Sequence, residues 1–237
     1  MAKILITDDN RPFADNLGEI LEDVGHTVVI AESGEAALSH VQQTRFDVLL
    51  SDMRMPEMGG AELVHRVRRL DPGLPAIVVT AFTNDNDLAT ARAEGLLAVL
   101  SKPLPIATLL HLVDVAQRHG LVALVEDDPQ MSDNVTEVLR DAGFAAVTAS
   151  SVLETQRLGD VSPFMALVDL RVPGGPDGAA MQTLAKRFPG LDMVVITAHG
   201  SAATPVQPYM VFGKPFQTSQ LLAAVREIHQ RKGQHHG

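Results

Sequence analysis

The sequence predicts an α/β protein made of two consecutive domains, each a parallel sheet wound on both faces by helices. Three observations predict it. Apolar runs alternate with helix-period stripes, with Gly and Pro at the joints. The whole pattern occurs twice in the same order. At 237 residues, 46% hydrophobic and 20% charged, the chain has enough apolar material for two packed cores.

The first copy opens with the apolar run Ile4-Leu5-Ile6-Thr7, which ends in the acid pair Asp8-Asp9. Phe13, Leu17, Leu21 and Val24 then recur at helical spacing up to Gly25. Asp47 to Ser51 and Ala76 to Thr80 read as buried strands, the first followed by Asp52-Met53-Arg54-Met55-Pro56 and the second by Ala81. Lys102-Pro103-Leu104 comes next, and a helix is expected from Pro105 to His119 with Gly120 as its C-cap. Leu121 to Val125 reads as the first strand of the second copy, so the expected division is 1–119 and 120–232, with a disordered tail over 233–237. A junction this short leaves the domains little freedom.

The second copy repeats these marks. Asp8 pairs with Glu126 and Gly25 with Gly143, both at an offset of 118. Asp52 pairs with Asp169, Pro72-Gly73-Leu74 with Pro189-Gly190-Leu191, and Thr80 with Thr197, all at an offset of 117. Lys102 pairs with Lys214 at 112. The second stripe is Met131, Val135, Leu139 and Ala142, and the last helix is expected over roughly Thr218 to Arg231. The deficit arises between the fourth strand and the lysine, where Lys102 lies 22 positions after Thr80 but Lys214 only 17 after Thr197. Gly200, Pro205 and Pro208 lie in that segment, so the helix there is expected to be stunted or absent, since proline inside a helix costs about 3 kcal/mol.

The totals exclude several function classes. The net charge of -10, and no basic cluster beyond Arg66, Arg68 and Arg69, argue against a nucleic-acid partner; that arginine group is read as a solvated helix face. No cysteine is present, which removes disulfides and thiol chemistry and fits a reducing compartment. Met1 to Thr7 is too short for a signal core, and runs such as Gly95 to Leu100 fall short of the ~20 apolar residues of a membrane helix. A cytoplasmic protein without membrane insertion is expected.

In a doubly wound sheet the ligand crevice lies beyond the C-terminal ends of the strands. The repeated polar residues all fall there: Asp8, Asp9, Asp52, Thr80 and Lys102, and again Glu126, Asp127, Asp169, Thr197 and Lys214. Each alone is compatible with a cap or a turn. Together they exceed what capping requires, since a cap needs neither a lysine nor a strand-end aspartate. Three converging carboxylates repel one another and suit an oxygen-ligated Mg²⁺. The cation and the lysine would offset negative charge on an incoming phosphoryl group, the hydroxyl would donate to it, and Asp52 would be the nucleophile.

The acid pair after strand one, the Asp-Met-Arg-Met-Pro turn, the Thr-Ala pair and the Lys-Pro resemble the receiver domain of bacterial two-component response regulators, nearly end to end and twice over. The resemblance implies a flavodoxin-like (βα)5 fold with strand order 2-1-3-4-5. It also implies a histidine kinase or phosphotransfer protein as donor, and Mg²⁺ held by Asp9, Asp52 and the main-chain carbonyl of Arg54, with Asp8 helping through water. Lys102 would contact the phosphoryl group, Thr80 would report it, and the Lys102–Pro103 bond is expected to be cis. Copy two carries these roles to Glu126, Asp127, Asp169, Arg171, Thr197 and Lys214. The aromatic residue common three positions before the lysine is replaced by Val99 and Val211, with Tyr209 and Phe212 out of register, and His199 stands two residues past Thr197. His235 and His236 have too few companions for a metal site.

The expected function is phospho-signalling through protein contacts, with a downstream protein target and homodimerisation among its partners. Beyond self-phosphorylation and autodephosphorylation no enzymatic activity is expected. No segment is read as a DNA-binding or enzymatic output domain. The second domain could instead be a phosphate sink or a dimerisation adaptor. An aspartate-nucleophile phosphatase of the haloacid-dehalogenase kind would need an aspartate where Arg54 and Arg171 stand, and a flavin or nucleotide binder would need a glycine-rich loop after the first strand.

Overall fold

The computed structural model describes residues 1–81, 92, 94–158, 161–198 and 204–233. The chain divides into two compact units, Met1–His119 and Gly120–Gly237. Unit 1 contains β1 (Lys3–Thr7), α1 (Arg11–Asp23), β2 (Thr27–Ala31), α2 (Gly34–Gln43), β3 (Val48–Asp52), α3 (Gly60–Leu70), β4 (Ala76–Thr80), β5 (Ala98–Ser101) and α4 (Ile106–Val115). Unit 2 contains β6 (Leu121–Val125), α5 (Pro129–Asp141), β7 (Ala145–Ala149), α6 (Val152–Gln156), β8 (Met165–Asp169), α7 (Ala179–Arg187), β9 (Asp192–Thr197), β10 (Met210–Gly213) and α8 (Thr218–Gly233).

Both sheets are wholly parallel, in the order β2-β1-β3-β4-β5 and β7-β6-β8-β9-β10. Each is the flavodoxin-like order 2-1-3-4-5. Every residue of β3, β4, β6 and β8 is buried, as a sheet covered on both faces requires. In unit 1 Leu5, Leu49 and Val78 pack with Leu63, Val64 and Val67 of α3. In unit 2 Leu124, Leu167 and Val194 pack with Val135 and Leu139 of α5 and Leu221 and Val225 of α8.

The helix ends follow local chemistry. Asn10 caps α1 by accepting from the Phe13 amide at 3.2 Å, and Asp128 caps α5 by accepting from Gln130 and Met131. Gly25 (φ 92°) and Gly143 (φ 86°) end the same two helices in the left-handed conformation, with His26 N–H donating to Leu21 O and Phe144 N–H to Leu139 O.

Two expectations are corrected. The helix expected over Pro105 to His119 stops at Val115, and Gly120 is not its cap. Residues 116–119 bond instead to the α3–β4 turn: Arg118 grips Asp71 with two contacts of 2.7 and 2.6 Å and also donates to the Phe46 carbonyl, while His119 N–H donates to Gly73 O. Arg66 and Arg69 are solvated, but Arg68 is not. Its guanidinium is buried and donates to the carbonyls of Glu94 (2.9 Å), Gly95 (2.7 Å), Pro72 (3.3 Å) and Leu74. Burial pulls its pKa down to about 10, which leaves it charged at neutral pH.

The units differ at the fifth strand. Ala98 and Leu100 of β5 are buried, whereas Met210 and Val211 of β10 are 37% and 46% exposed. Residues 204–209, which lead into β10, contain no helix. Pro205 lies over Gly178 (φ 79°), where a Cβ would come within 2.5 Å of its ring. The rest of the segment expected to be stunted, with Gly200 and His199, lies outside the described residues, as do His235 and His236. Among the described residues no helix is long and apolar enough to cross a membrane.

Candidate functional site

The acidic and basic residues singled out in the sequence meet at the C-terminal ends of the strands, once in each unit. In unit 1 the Asp8 amide donates to Ala31 O, which holds Asp8 at the crevice floor, buried to 2% exposure. The Asp8 carboxylate accepts from Asn10 N–H at 2.8 Å. Asp52, at the end of the central strand β3, accepts from Arg54 N–H at 2.7 Å, so the backbone at Arg54 folds over the carboxylate. Lys102 reaches in from the loop after β5, where its amide donates to Thr80 O, and its Nζ lies 2.6 Å from Asp52 Oδ1 and 3.1 Å from Asp8 Oδ2. Thr80 is buried at the end of β4, and Asp9 is exposed at the mouth.

Unit 2 repeats the arrangement. Lys214 Nζ lies 2.6 Å from Asp169 Oδ2 and 2.7 Å from Glu126 Oε2, Arg171 N–H donates to Asp169 Oδ1 at 2.9 Å, and the Lys214 amide donates to Thr197 O. Glu126, Asp127 and Asp169 each place a carboxylate oxygen within 4.8 Å of the others, an all-oxygen donor set that could hold a metal ion. The Lys102–Pro103 and Lys214–Pro215 bonds are both cis.

The electrostatics follow from this crowding. Burial pushes Asp8 and Glu126 above the ordinary carboxylate range, although each gains a lysine contact. For Lys102 and Lys214, burial works against the charged form, and the hydrogen bonds to the paired carboxylates outweigh it, leaving both ammoniums above their ordinary value. Each lysine is therefore held between two carboxylates, Asp8 and Asp52 in unit 1 and Glu126 and Asp169 in unit 2.

Residues 4–114 match the response regulator receiver domain family. A response regulator receiver protein of Anaeromyxobacter sp. (strain Fw109-5) is 58% identical over 235 residues, which span 99% of this chain and 98% of that one. The chain belongs to the response-regulator receiver family. This response regulator is also 34% identical, over 125 residues, to the transcriptional regulatory protein GlrR of Escherichia coli (strain K12); that match covers 53% of this chain and 28% of GlrR. Among solved structures, chemotaxis response regulator CheY4 of Vibrio cholerae is 34% identical, with a TM-score of 0.45, over 48% of this chain and 97% of its own.

Two details of the response regulator's sites escaped the sequence reading. Phe13, whose spacing predicts the start of a core stripe, places its ring centroid 4.5 Å from Lys102 Nζ. Tyr209 donates to Glu227 at 2.5 Å and stacks under the Arg231 guanidinium at 4.8 Å, so this out-of-register ring is fastened to α8. Phe13 sits three residues past Asn10, and a capped first turn beside the acid pair was the available signal.

Proposed function

We propose that this response regulator accepts phosphoryl groups on Asp52 and on Asp169 from a histidine kinase or a phosphotransfer protein, and that the phosphorylated protein signals by contacts with a downstream protein. The observation that carries the reading is the lysine–aspartate pair at 2.6 Å in each unit, each set at the end of the central strand with a buried threonine one strand away. A carboxylate oxygen forms the bond to phosphorus as the phosphorus–nitrogen bond of the donor breaks, and its electron pair leaves with the imidazole. Lys102 and Lys214 offset the charge that gathers on the phosphoryl oxygens, and Thr80 and Thr197 donate to one of them.

The acid sets fit Mg²⁺ in chemistry, being hard oxygen donors with a net negative charge. Asp8, Asp9, Asp52 and the Arg54 carbonyl would hold it in unit 1, and Glu126, Asp127, Asp169 and the Arg171 carbonyl in unit 2. When bound, it draws charge from the phosphoryl oxygens.

The exposure of Met210 and Val211 supports a second role for unit 2 as a dimerisation adaptor, because its fifth strand presents an apolar surface unlike that of unit 1. Borohydride reduction tests the acceptor reading, since it converts an aspartyl phosphate to homoserine. Peptide mapping after exposure to phosphodonor should find homoserine at positions 52 and 169. Homoserine at neither position sinks the proposal.

A further inference from the structure

We propose that Phe13 is a positioning residue for Lys102: its ring holds the ammonium beside Asp52, so that the lysine stays in the site when that carboxylate becomes an acyl phosphate. The inference rests on the reading of Asp52 as acceptor. A lysine side chain is a point charge on a flexible four-carbon stem, and it loses much of its freedom when fixed. Among the described residues Nζ meets Asp52 at 2.6 Å, Asp8 at 3.1 Å and the Phe13 ring centroid at 4.5 Å. The two carboxylates neutralise the ammonium. The ring attracts it through the quadrupole and adds no negative charge that a phosphoryl group would have to displace.

Phe13 is itself fixed by the acid loop. Asn10 N–H donates to Asp8 and the Asn10 side chain accepts from Phe13 N–H, so one short segment sets the acid, the cap and the ring. With 28% of its side chain exposed, Lys102 remains open to solvent and to an incoming group. Among the described residues unit 2 shows no such ring contact to Lys214. The residue three past its cap Asp128 is Met131, which has no π face and packs against the hydrophobic core. The two lysines therefore have corresponding carboxylate partners and differ in what else they touch.

The test uses the full chain carrying Asp169→Asn, so that uptake reports Asp52 alone, with Mg²⁺ and acetyl phosphate. Phe13→Leu should slow the initial uptake about two- to five-fold, the size of a partly exposed cation–π contact, and Phe13→Tyr should keep the parent rate. Nuclear magnetic resonance gives a readout that needs no phosphate: the Lys102 ε-methylene protons should be shifted upfield by the ring in the parent and in Phe13→Tyr, and not in Phe13→Leu. A parent that takes up no phosphate defeats the acceptor reading, and the proton shift still decides whether the ring holds the lysine. Uptake in Phe13→Leu at the parent rate, uptake in Phe13→Tyr as slow as in Phe13→Leu, or an unshifted Lys102 in the parent overturns the proposal.

Discussion

The Lys102 ammonium lies 2.6 Å from the Asp52 carboxylate, and the same relationship recurs between Lys214 and Asp169 at 2.6 Å. Each ammonium also meets a second acid, Asp8 or Glu126, so the carboxylates in contact with each lysine carry more charge than it does.

That charge should cost stability. Burial raises Asp8 above its ordinary value of 3.8, so in the window between the two the folded state binds more protons than the unfolded state. Stability then falls as pH rises through that window, and the charged carboxylate is a net cost at neutral pH. Asp8→Asn should stabilise unit 1 by about 1 kcal/mol, a few degrees in Tm by calorimetry at neutral pH. The gain should shrink towards about pH 3, where the wild-type group is neutral as well. A loss of stability at neutral pH would contradict the argument.

Arg68 should be costly to remove. Arg68→Met leaves the carbonyls of Leu74, Glu94 and Gly95 without this donor in a buried setting, at about 2–4 kcal/mol. Hydrogen exchange should show protection lost around residues 60–74 and 94–101, and the unit 2 strands unchanged. Equal loss in both units would argue against a local role.

The grip of Arg118 on Asp71 should protect the end of unit 1. Asp71→Ala should raise tryptic cleavage after Arg118 about tenfold, the effect of about 1.4 kcal/mol on local opening. Gly73→Ala should act in the same direction, because a Cβ there would lie 2.3 Å from the His119 ring. Unchanged cleavage in both variants would refute the protection.

The strand order came only from the resemblance to receiver domains. The two parallel sheets were legible in the alternation of strand and helix and in the repeat, in which Asp52 and Asp169 mark the same strand end. The site was legible for a similar reason, since strand ends in a doubly wound sheet converge. Arg68 was misread because charge outweighed period. It lies one helical turn after Val64 and directly after Val67, on the buried stripe of α3 with Leu63. The helix end at Val115 was missed because what stops it is distant in sequence: Asp71 and Gly73 claim Arg118 and His119. Phe13 was missed because apolar spacing cannot distinguish a core ring from one that faces a lysine 89 positions along the chain.

The most direct test is the intact mass of the chain after incubation with Mg²⁺ and acetyl phosphate, compared among wild type, Asp52→Asn, Asp169→Asn and the double variant. Wild type should gain two phosphoryl groups, each single variant one, and the double variant none. Undiminished uptake by the double variant would contradict the assignment of Asp52 and Asp169 as acceptors.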